Sequence, residues 1–257
     1  MPIIKDSAPF HYPDKDFVLV KYMDLQKFLS LLYKKSLFFC RLDKLEDQFE
    51  GITAKKNYEL RIQIVKQLNK EGIPSKPLNE LGIHSAVQDQ YKWEERYKGI
   101  FLINCWNKFN VESAALWKIY SNNGKGILIK SSVERIKKAF KQIKAPIRMS
   151  KVKYLNYETE YMPEGNIYYP IIHKQKAYLY EEEVRLIHEI TEDIVDGAYD
   201  WSKEEVQAGK YFECNLEELV EEIIMGPYSP KWIYNLLQDL LEKYNLSKNI
   251  RQSTLAI

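Results

Sequence analysis

The stretch Tyr180-Glu181-Glu182-Glu183-Val184-Arg185-Leu186-Ile187-His188-Glu189-Ile190 places three acidic residues directly before a run of aliphatic and β-branched residues. Such a run favours a β-strand, in which successive side chains point to opposite faces of the sheet. The pattern therefore predicts that Glu181, Glu183 and Arg185 share one face. Carboxylates two positions apart on a strand lie roughly 6.5–7 Å from each other, because each residue advances the chain by about 3.3 Å.

Repulsion between these carboxylates requires a cation or a ligand to offset it, and Arg185 is the one cation expected on that face. This arrangement indicates a functional site in which Glu181 and Glu183 act on a bound molecule. The alternative is a solvated edge strand whose arginine pairs both acids. The residues alone leave both interpretations open.

The composition is that of an ordinary globular protein. The chain has 257 residues, near the upper limit for a single hydrophobic core. Its formal net charge of +2 does not favour nucleic acid as the main partner. Residues 1–10 lack a signal-peptide pattern, and no run approaches the roughly 18 apolar residues of a membrane span. We therefore expect a soluble, cytoplasmic protein with no membrane partner.

The cysteines and the aromatic residues indicate the redox environment of the protein and the kind of site it contains. Cys40, Cys105 and Cys214 lie far apart without the spacing of zinc ligands, so the sequence predicts a reducing compartment and no metal site. Aromatic residues make up 13% of the chain, and 19 of them are tyrosines. Tyrosine lines wet clefts as readily as cores, because one end of its side chain is apolar and the other needs a hydrogen bond. The composition thus favours a polar, aromatic-lined cleft.

Strand and helix patterns alternate along the chain, without a linker-like stretch or an internal repeat. Residues 17–23 predict a strand, after which Asp24 caps a helix. We expect one α+β domain over residues 1–257, with a mixed, mostly antiparallel sheet, flanking helices and a helical insertion or lid at about 53–98. Further strands are predicted at 37–42, 100–106, 126–130, 152–155, 183–191, 211–215 and 223–225, and further helices at 111–120 (capped by Asn110), 135–144, 217–222 and 230–244.

Short segments follow one another in a characteristic order along nearly the whole chain: 21–24 (KYMD), 36–39 (SLFF), 43–51 (DKLEDQFEG), 104–106 (NCW), 112–121 (ESAALWKIYS), 126–127 (GI), 151–154 (KVKY), 173–174 (HK), 181–185 (EEEVR) and 252–255 (QSTL). In these segments the chain resembles a bacterial family catalogued as domain of unknown function 2971. The family name implies no established reaction. One departure is that Leu179 and Tyr180 stand where an acid and a histidine are expected.

A looser likeness rests on three features in order: Lys21-Tyr22 at the end of the first strand before a helix, Tyr120-Ser121 after a central helix, and Glu181-x-Glu183 late in the chain. With these the chain is similar to NAD-dependent ADP-ribosyltransferases. The resemblance implies that Glu183 hydrogen-bonds a ribose hydroxyl and stabilises the cationic sugar formed as nicotinamide leaves. Glu181 would orient or deprotonate the acceptor.

The same resemblance implies roles for the remaining residues of these motifs. Lys21 would contact diphosphate or ribose, and Tyr22 or Tyr120 would stack on nicotinamide. Ser121 would contribute to ligand binding. Arg185, on the same predicted face as the acids, is a further candidate ligand-binding residue. A lysine at a strand end is also commonly just solvated, which is the alternative for Lys21.

Several other clusters allow two interpretations. Asp43, Asp47 and Glu50 form an acidic turn that suits a magnesium or calcium ion, although acids before a glycine mostly cap backbone amides. His173 can serve as an acid or base near neutral pH or as a hydrogen-bonded strut. Trp117 fits a ligand platform or the core.

The leading hypothesis is a nucleotide-handling enzyme, ADP-ribosyltransferase-like or NAD glycohydrolase-like, with NAD as substrate and a protein or nucleic acid as acceptor. A toxin or phage-defence role follows by analogy alone. The first alternative is a non-catalytic module that senses a nucleotide or a protein. The second is a metal-dependent nuclease built from the acidic turn together with Glu181 and Glu183.

Overall fold

The computed structural model describes residues 3–4, 9–47, 49–73, 76–123, 125–190, 194–195, 198–199 and 207–256. The helices in this part of the chain are α1 (Leu25–Lys34), α2 (Lys55–Lys70), α3 (Glu80–Tyr97), α4 (Ala114–Tyr120), α5 (Val133–Ala139), α6 (Leu216–Leu219) and α7 (Trp232–Lys243). The strands are β1 (Ile3–Ile4), β2 (Val18–Met23), β3 (Ser36–Arg41), β4 (Phe101–Lys108), β5 (Ile127–Ser132), β6 (Ile147–Lys151), β7 (Lys153–Leu155), β8 (His173–Gln175), β9 (Glu183–Glu189), β10 (Ile194–Val195), β11 (Ala198–Tyr199), β12 (Gly209–Glu213), β13 (Glu222–Met225) and β14 (Asn249–Gln252). Short 3-10 turns cover Leu42–Lys44, Lys98–Ile100 and Lys176–Glu181.

One mixed sheet of ten strands organises the fold. Eight of its strands follow the order β1-β6-β9-β4-β2-β5-β13-β14, and β3 joins β4 and carries β12. The pairs β1–β6 and β13–β14 are parallel, and the other pairs of this sheet are antiparallel. The predicted α+β class, with a mostly antiparallel sheet and flanking helices, is confirmed.

Strand β4 is the point at which this sheet divides. One edge pairs with β9 from Phe101 to Asn107. The other edge pairs with β3 near its start, through Leu102 and Ile103, and with β2 near its end, through Asn107 and Lys108. The residues between these two contacts have no strand partner on that edge among the described residues. Strands β2 and β3 therefore diverge from β4 and leave an opening between them.

Capping side chains decide where several helices begin. The carboxylate of Asp24 accepts a hydrogen bond from the Lys27 amide at 2.7 Å, which confirms the predicted cap of α1. The prediction for α4 is wrong in its cap, because Ser113, not Asn110, accepts from the Leu116 amide. Helix α5 begins earlier than predicted, after the cap residue Ser132, and ends at Ala139. Thr191, the last residue of the predicted strand 183–191, lies outside the described residues.

The predicted helical insertion corresponds to α2 and α3, which lie between β3 and β4 in the chain. Buried Arg61 of α2 donates to Glu94 of α3 at 2.7 Å and to Glu164 at 2.9 Å. The amide nitrogen of Asn57 donates to the Met162 carbonyl at 2.8 Å. The two helices are thus fixed to each other and to the segment that contains residues 162–164. Within the described residues, no helix is both long enough and apolar enough to cross a membrane.

Apolar residues cover both faces of the sheet. On β9, Val184 and Leu186 pack into the largest core cluster, whereas Ile187 belongs to a second cluster. Because side chains alternate along a strand, Arg185 lies on the face opposite Val184 and Leu186. The strand pairs with β4 on one side and with β6 on the other, so it is central and the alternative of a solvated edge strand is wrong.

Candidate functional site

A cavity of about 1360 Å³ opens where β2 and β3 separate from β4. Glu181 and Glu183 lie on one wall, and Lys21 and Tyr120 also line the space. Five tyrosines contribute to the lining, together with Phe38, and they give the cleft the polar, aromatic character that the composition favours: Tyr22, Tyr120, Tyr178, Tyr180 and Tyr211. Among the described residues of α2 and α3, none lines this cavity. A lid function of these helices stays a prediction.

The wall of the cavity contains a buried charge network centred on Lys174. Its ammonium group lies 2.8 Å from Glu50 Oε1, 2.7 Å from Glu181 Oε2 and 3.5 Å from Glu183 Oε2. All four side chains are at most 6% exposed. Buried charges are tolerated only when they are paired and hydrogen-bonded, so Lys174 holds three carboxylates that would otherwise repel one another.

Arg185 completes the network from the neighbouring position on β9. The guanidinium donates from Nε to Glu183 Oε1 at 2.8 Å and from Nη2 to Glu50 Oε2 at 2.6 Å. Its Nη1 donates to the carbonyl oxygen of Ile171 at 2.7 Å, and the side chain is fully buried. The arginine therefore pairs Glu183 and Glu50, whereas Glu181 is paired by Lys174. The prediction that Arg185 pairs both acids of its own segment is wrong.

Glu181 reaches this network by a route other than the predicted strand. It is the last residue of the 3-10 turn Lys176–Glu181, and Glu182 has a left-handed backbone with φ 40° and ψ 52°. Strand β9 begins one residue later, at Glu183. The prediction that the two acids occupy alternate positions of one strand is therefore wrong, although both side chains meet at Lys174. The left-handed residue turns the chain so that this can happen.

The two carboxyl groups differ in their electrostatics. Burial alone would raise the pKa of Glu183, but the charges of Arg185 and Lys174 outweigh it and lower the pKa to about 2. Burial raises the pKa of Glu181, and its hydrogen bond from Lys174 offsets this in part. Three carboxylates against two cations leave the ionised network with one excess negative charge. Glu181 is the member whose affinity for a proton increases.

Tyr120 connects helix α4 to the network. Its hydroxyl donates to Glu181 Oε1 at 2.7 Å, and its side chain remains 38% exposed. Burial and the adjacent Glu181 carboxylate both raise the pKa of this tyrosine. Tyr120 thus stays a hydrogen-bond donor at any working pH and presents an accessible ring beside the carboxylates.

Lys21 lines the cavity from strand β2. Its ammonium nitrogen donates to the carbonyl oxygen of Cys105 at 2.6 Å, on the part of β4 without a strand partner. Burial lowers the pKa of Lys21. The alternative of a solvated lysine at the strand end is therefore wrong.

Four residues with predicted binding roles do not line the cavity, and one of them is Arg185, whose side chain is fully buried in the charge network. Trp117 is buried and packs edge-on against Tyr22 with ring centroids 5.0 Å apart, as a core residue does. Ser121 is buried and donates to the carbonyl of Trp117. Nδ1 of His173 lies 2.6 Å from the Tyr169 carbonyl, and burial lowers the pKa of this imidazole. His173 thus has the contacts of a hydrogen-bonded strut.

The three acids of the acidic turn have different roles: two make local structural contacts, and one belongs to the buried charge network. Asp47 accepts from the Phe49 amide at 2.9 Å, which is the capping contact expected in such a turn, whereas Asp43 accepts instead from the guanidinium of Arg41 at 2.9 Å. Glu50 alone joins the charge network. No group of three His, Cys, Asp or Glu side chains in the described residues is arranged to hold a metal ion. The cations of the network already take the carboxylate oxygens that a metal would need.

The lysine at the centre of the network was not predicted as a site residue. His173 and Lys174 are adjacent on β8, so their side chains point to opposite faces and one of them turns toward the cavity. The sequence predicted a site role for the histidine, and not for the lysine, because an imidazole ordinarily titrates near neutral pH. Tyr154 was also missed; its hydroxyl accepts from the Glu183 amide at 2.8 Å and fixes the start of β9. The signal available for both was the quoted family segments that contain them.

No protein-family model, curated protein or solved structure matches this chain. The resemblances to the domain of unknown function 2971 and to ADP-ribosyltransferases therefore stay predictions. The cavity and its charge network are the features that bear on function.

Proposed function

We propose that this protein is an enzyme that breaks the N-glycosidic bond of NAD or a related nucleotide and transfers the sugar to water or to another acceptor. The observation that carries the proposal is a pair of carboxyl groups whose pKa values move in opposite directions within one tyrosine-lined cavity. When the pKa values of two neighbouring carboxyl groups differ in this way, one group stays anionic and the other can exchange a proton.

Glu183 would act on the sugar. When the bond to nicotinamide breaks, the bond electrons leave with the nicotinamide nitrogen and positive charge develops on the sugar carbon. A carboxylate that is ionised down to a pH of about 2 stabilises that charge, most strongly where water is excluded. Fixed contacts with Arg185 and Lys174 hold this carboxylate in one orientation, so little reorganisation is required.

Glu181 would act on the incoming acceptor. Its raised pKa makes it a better base than an ordinary glutamate, and it removes the proton from water or an acceptor hydroxyl as the new bond forms. The neighbouring Tyr120 ring is accessible and would stack on nicotinamide; the ring of Tyr22 is buried against Trp117. Lys21 would lie against the ribose. The cavity volume exceeds the 300–1,000 Å³ typical of small-molecule sites, which suits a dinucleotide.

The decisive experiment measures nicotinamide release from NAD, by liquid chromatography, for the wild type and three variants. Glu183→Gln should lose at least about 10²-fold in rate while it still binds NAD, because a fixed charge at the reacting centre is removed. Glu181→Gln should lose about 10²–10⁴-fold, the usual contribution of a general base. Glu182→Gln is the matched control, since this exposed neighbour carries the same charge outside the cavity.

Wild-type protein that binds NAD yet releases no nicotinamide, with water or with candidate protein and nucleic-acid acceptors, would refute the enzymatic proposal. A non-catalytic nucleotide-binding module is then the second candidate. The specific observation in its favour is that both oxygens of Glu183 already accept hydrogen bonds from Arg185. A bound nucleotide at about 100 times its dissociation constant would still stabilise such a module by about 2.7 kcal/mol in a thermal unfolding assay.

A further inference from the structure

Two of the lysines that line the cavity, Lys21 and Lys174, have opposite surroundings. Lys174 contacts three carboxylates, which raise its pKa although burial disfavours its charge. Lys21 has a single hydrogen-bond acceptor, the neutral carbonyl of Cys105, and forms no ion pair with any described carboxylate. Lys174 is therefore held charged, whereas Lys21 has no counter-ion among the described residues.

The position of Lys21 on β2 explains its surroundings. Alternation along the strand puts it on the same face as Leu19 and Met23, which both belong to the largest core cluster. Across the sheet, its partner on β5 is the buried Ile129. The ring face of Trp106 lies 5.9 Å from its nitrogen, a cation–π contact that favours the charged form but supplies no counter-ion. An ammonium group in such apolar surroundings loses hydration without gaining a counter-ion.

Charged and titratable groups around Lys21 do not compensate for this loss. Burial lowers its pKa most, and the positive charge of Lys27 acts in the same direction. Cys105 and Glu183 act the other way and do not outweigh burial. The thiol of Cys105 is itself buried, which raises its pKa well above the usual value and keeps it neutral. The side chain of Lys21 is still partly exposed, and it lines the cavity.

We propose that Lys21 is a nucleophilic amine that forms an imine with a small aldehyde or ketone bound in the cavity. The lone pair of the uncharged amine attacks the carbonyl carbon to form a C–N bond, and the carbonyl oxygen takes up a proton. The resulting carbinolamine loses water, which carries away the carbonyl oxygen and both amine hydrogens, and a C=N bond remains. Lys174 cannot do this, because a charged ammonium group has no lone pair to donate.

This inference goes beyond the proposed glycosidic cleavage and is tested separately from it. The folded wild type is treated at pH 7 with limiting acetaldehyde and sodium cyanoborohydride, which reduces an imine to a stable secondary amine. Labelled lysines are then mapped by mass spectrometry of chymotryptic peptides. A lowered pKa raises the uncharged fraction of an amine at a given pH, so we expect Lys21 to label faster than exposed Lys35 or paired Lys174.

Two controls make the result interpretable. In concentrated urea the preference for Lys21 should disappear, because it depends on the folded cavity. The Lys21→Arg variant should lose the fast-labelled position and leave the labelling of Lys35 unchanged. Labelling of Lys21 no faster than that of Lys35 in the folded wild type overturns the inference, as does a preference that persists in urea. Nicotinamide release without fast labelling refutes the amine alone, and fast labelling without release refutes the glycosidic proposal alone.

Discussion

Replacing Glu183 by glutamine should destabilise the protein at neutral pH and much less in acid. The pKa of this carboxyl is about 2 in the folded protein, against an ordinary value of 4.5. A group whose pKa is lowered on folding contributes stability that is fully present above its unfolded pKa and is lost as pH falls toward its folded pKa. The stabilising charge of Glu183 is thus present at pH 7 and largely gone near pH 2.

The size of the effect follows from the same two values. A tenfold change in proton affinity corresponds to about 1.4 kcal/mol, so the lowering of the pKa to about 2 represents on the order of 3 kcal/mol at pH 7. Breaking a buried ion pair by removing one partner independently costs about 3–5 kcal/mol. By either route, the loss expected for Glu183→Gln is about 3 kcal/mol at pH 7.

Glu181 changes the pH dependence of the wild-type free energy of unfolding in the opposite direction to Glu183. Its pKa is raised in the folded protein, so the folded state gains a proton first as pH falls and is stabilised there relative to the unfolded chain. The wild-type free energy of unfolding should therefore stay level or rise slightly just above pH 4.5 and fall steeply below it. In the Glu181→Gln variant the free energy of unfolding should lose the level region just above pH 4.5 and should still fall steeply below it.

Urea unfolding between pH 7 and pH 2.5, followed by fluorescence of the buried Trp106 and Trp117, measures these free energies. The difference between wild type and Glu183→Gln should shrink from about 3 kcal/mol toward zero as the pH falls. Glu182→Gln, on the exposed side of the same turn, should follow the wild type throughout. A constant difference between wild type and Glu183→Gln at all pH values would show that the charge of Glu183 is not what the network stabilises, and the reasoning would fail.

Three further substitutions test other parts of the structure by thermal or urea unfolding. Glu112→Gln should cost about 2 kcal/mol at pH 7, because the buried carboxylate accepts hydrogen bonds from five donors, among them Arg251 at 3.0 Å; no loss would refute its role in fixing the C-terminal segment. Gly126→Ala should cost about 1–3 kcal/mol, since a Cβ atom there would lie 2.2 Å from the Met23 carbonyl oxygen; a neutral result would mean that β2 and β5 are not packed this closely. Glu182→Gly should not destabilise, and should stabilise by up to about 1 kcal/mol, because glycine adopts a left-handed backbone freely; a clear loss would contradict the left-handed turn.

Local pattern was sufficient to predict much of the fold. The strand before Asp24, the helix it caps and the two insertion helices lie close to their predicted bounds, because hydrophobic period and capping are properties of neighbouring residues. Strands β6, β8 and β14 were missed, as were the two-residue strands β1, β10 and β11. Strand β14 has one apolar residue, Ile250, and is held by parallel pairing with β13 rather than by burial of its own side chains. Such pairing leaves no local signal.

Only those site residues that lie in one short segment of the sequence were predicted together. Glu181, Glu183 and Arg185 are close in sequence and meet in the structure, so the segment was informative. Glu50 joins the network from a distant part of the chain, and Lys174 joins it from a different strand, seven residues before Glu181. Nothing in the local sequence links these two residues to the acids. Without these partners, an isolated pair of glutamates gives no means of deciding which carboxyl stays charged.

The left-handed backbone at Glu182 determines which of the two carboxyl groups stays charged. On a regular strand the two carboxylates would share one face with Arg185 and compete for the same guanidinium. The turn at Glu182 instead directs Glu181 to Lys174 and Tyr120, while Glu183 keeps both of its hydrogen bonds with Arg185. Burial favours the protonated form of both carboxyls. At Glu183 the charges of Arg185 and Lys174 outweigh burial and the pKa falls, whereas at Glu181 the hydrogen bonds from Lys174 and Tyr120 do not outweigh it and the pKa rises. The division of labour in the proposed reaction therefore depends on a backbone turn that the alternating pattern of the sequence could not predict.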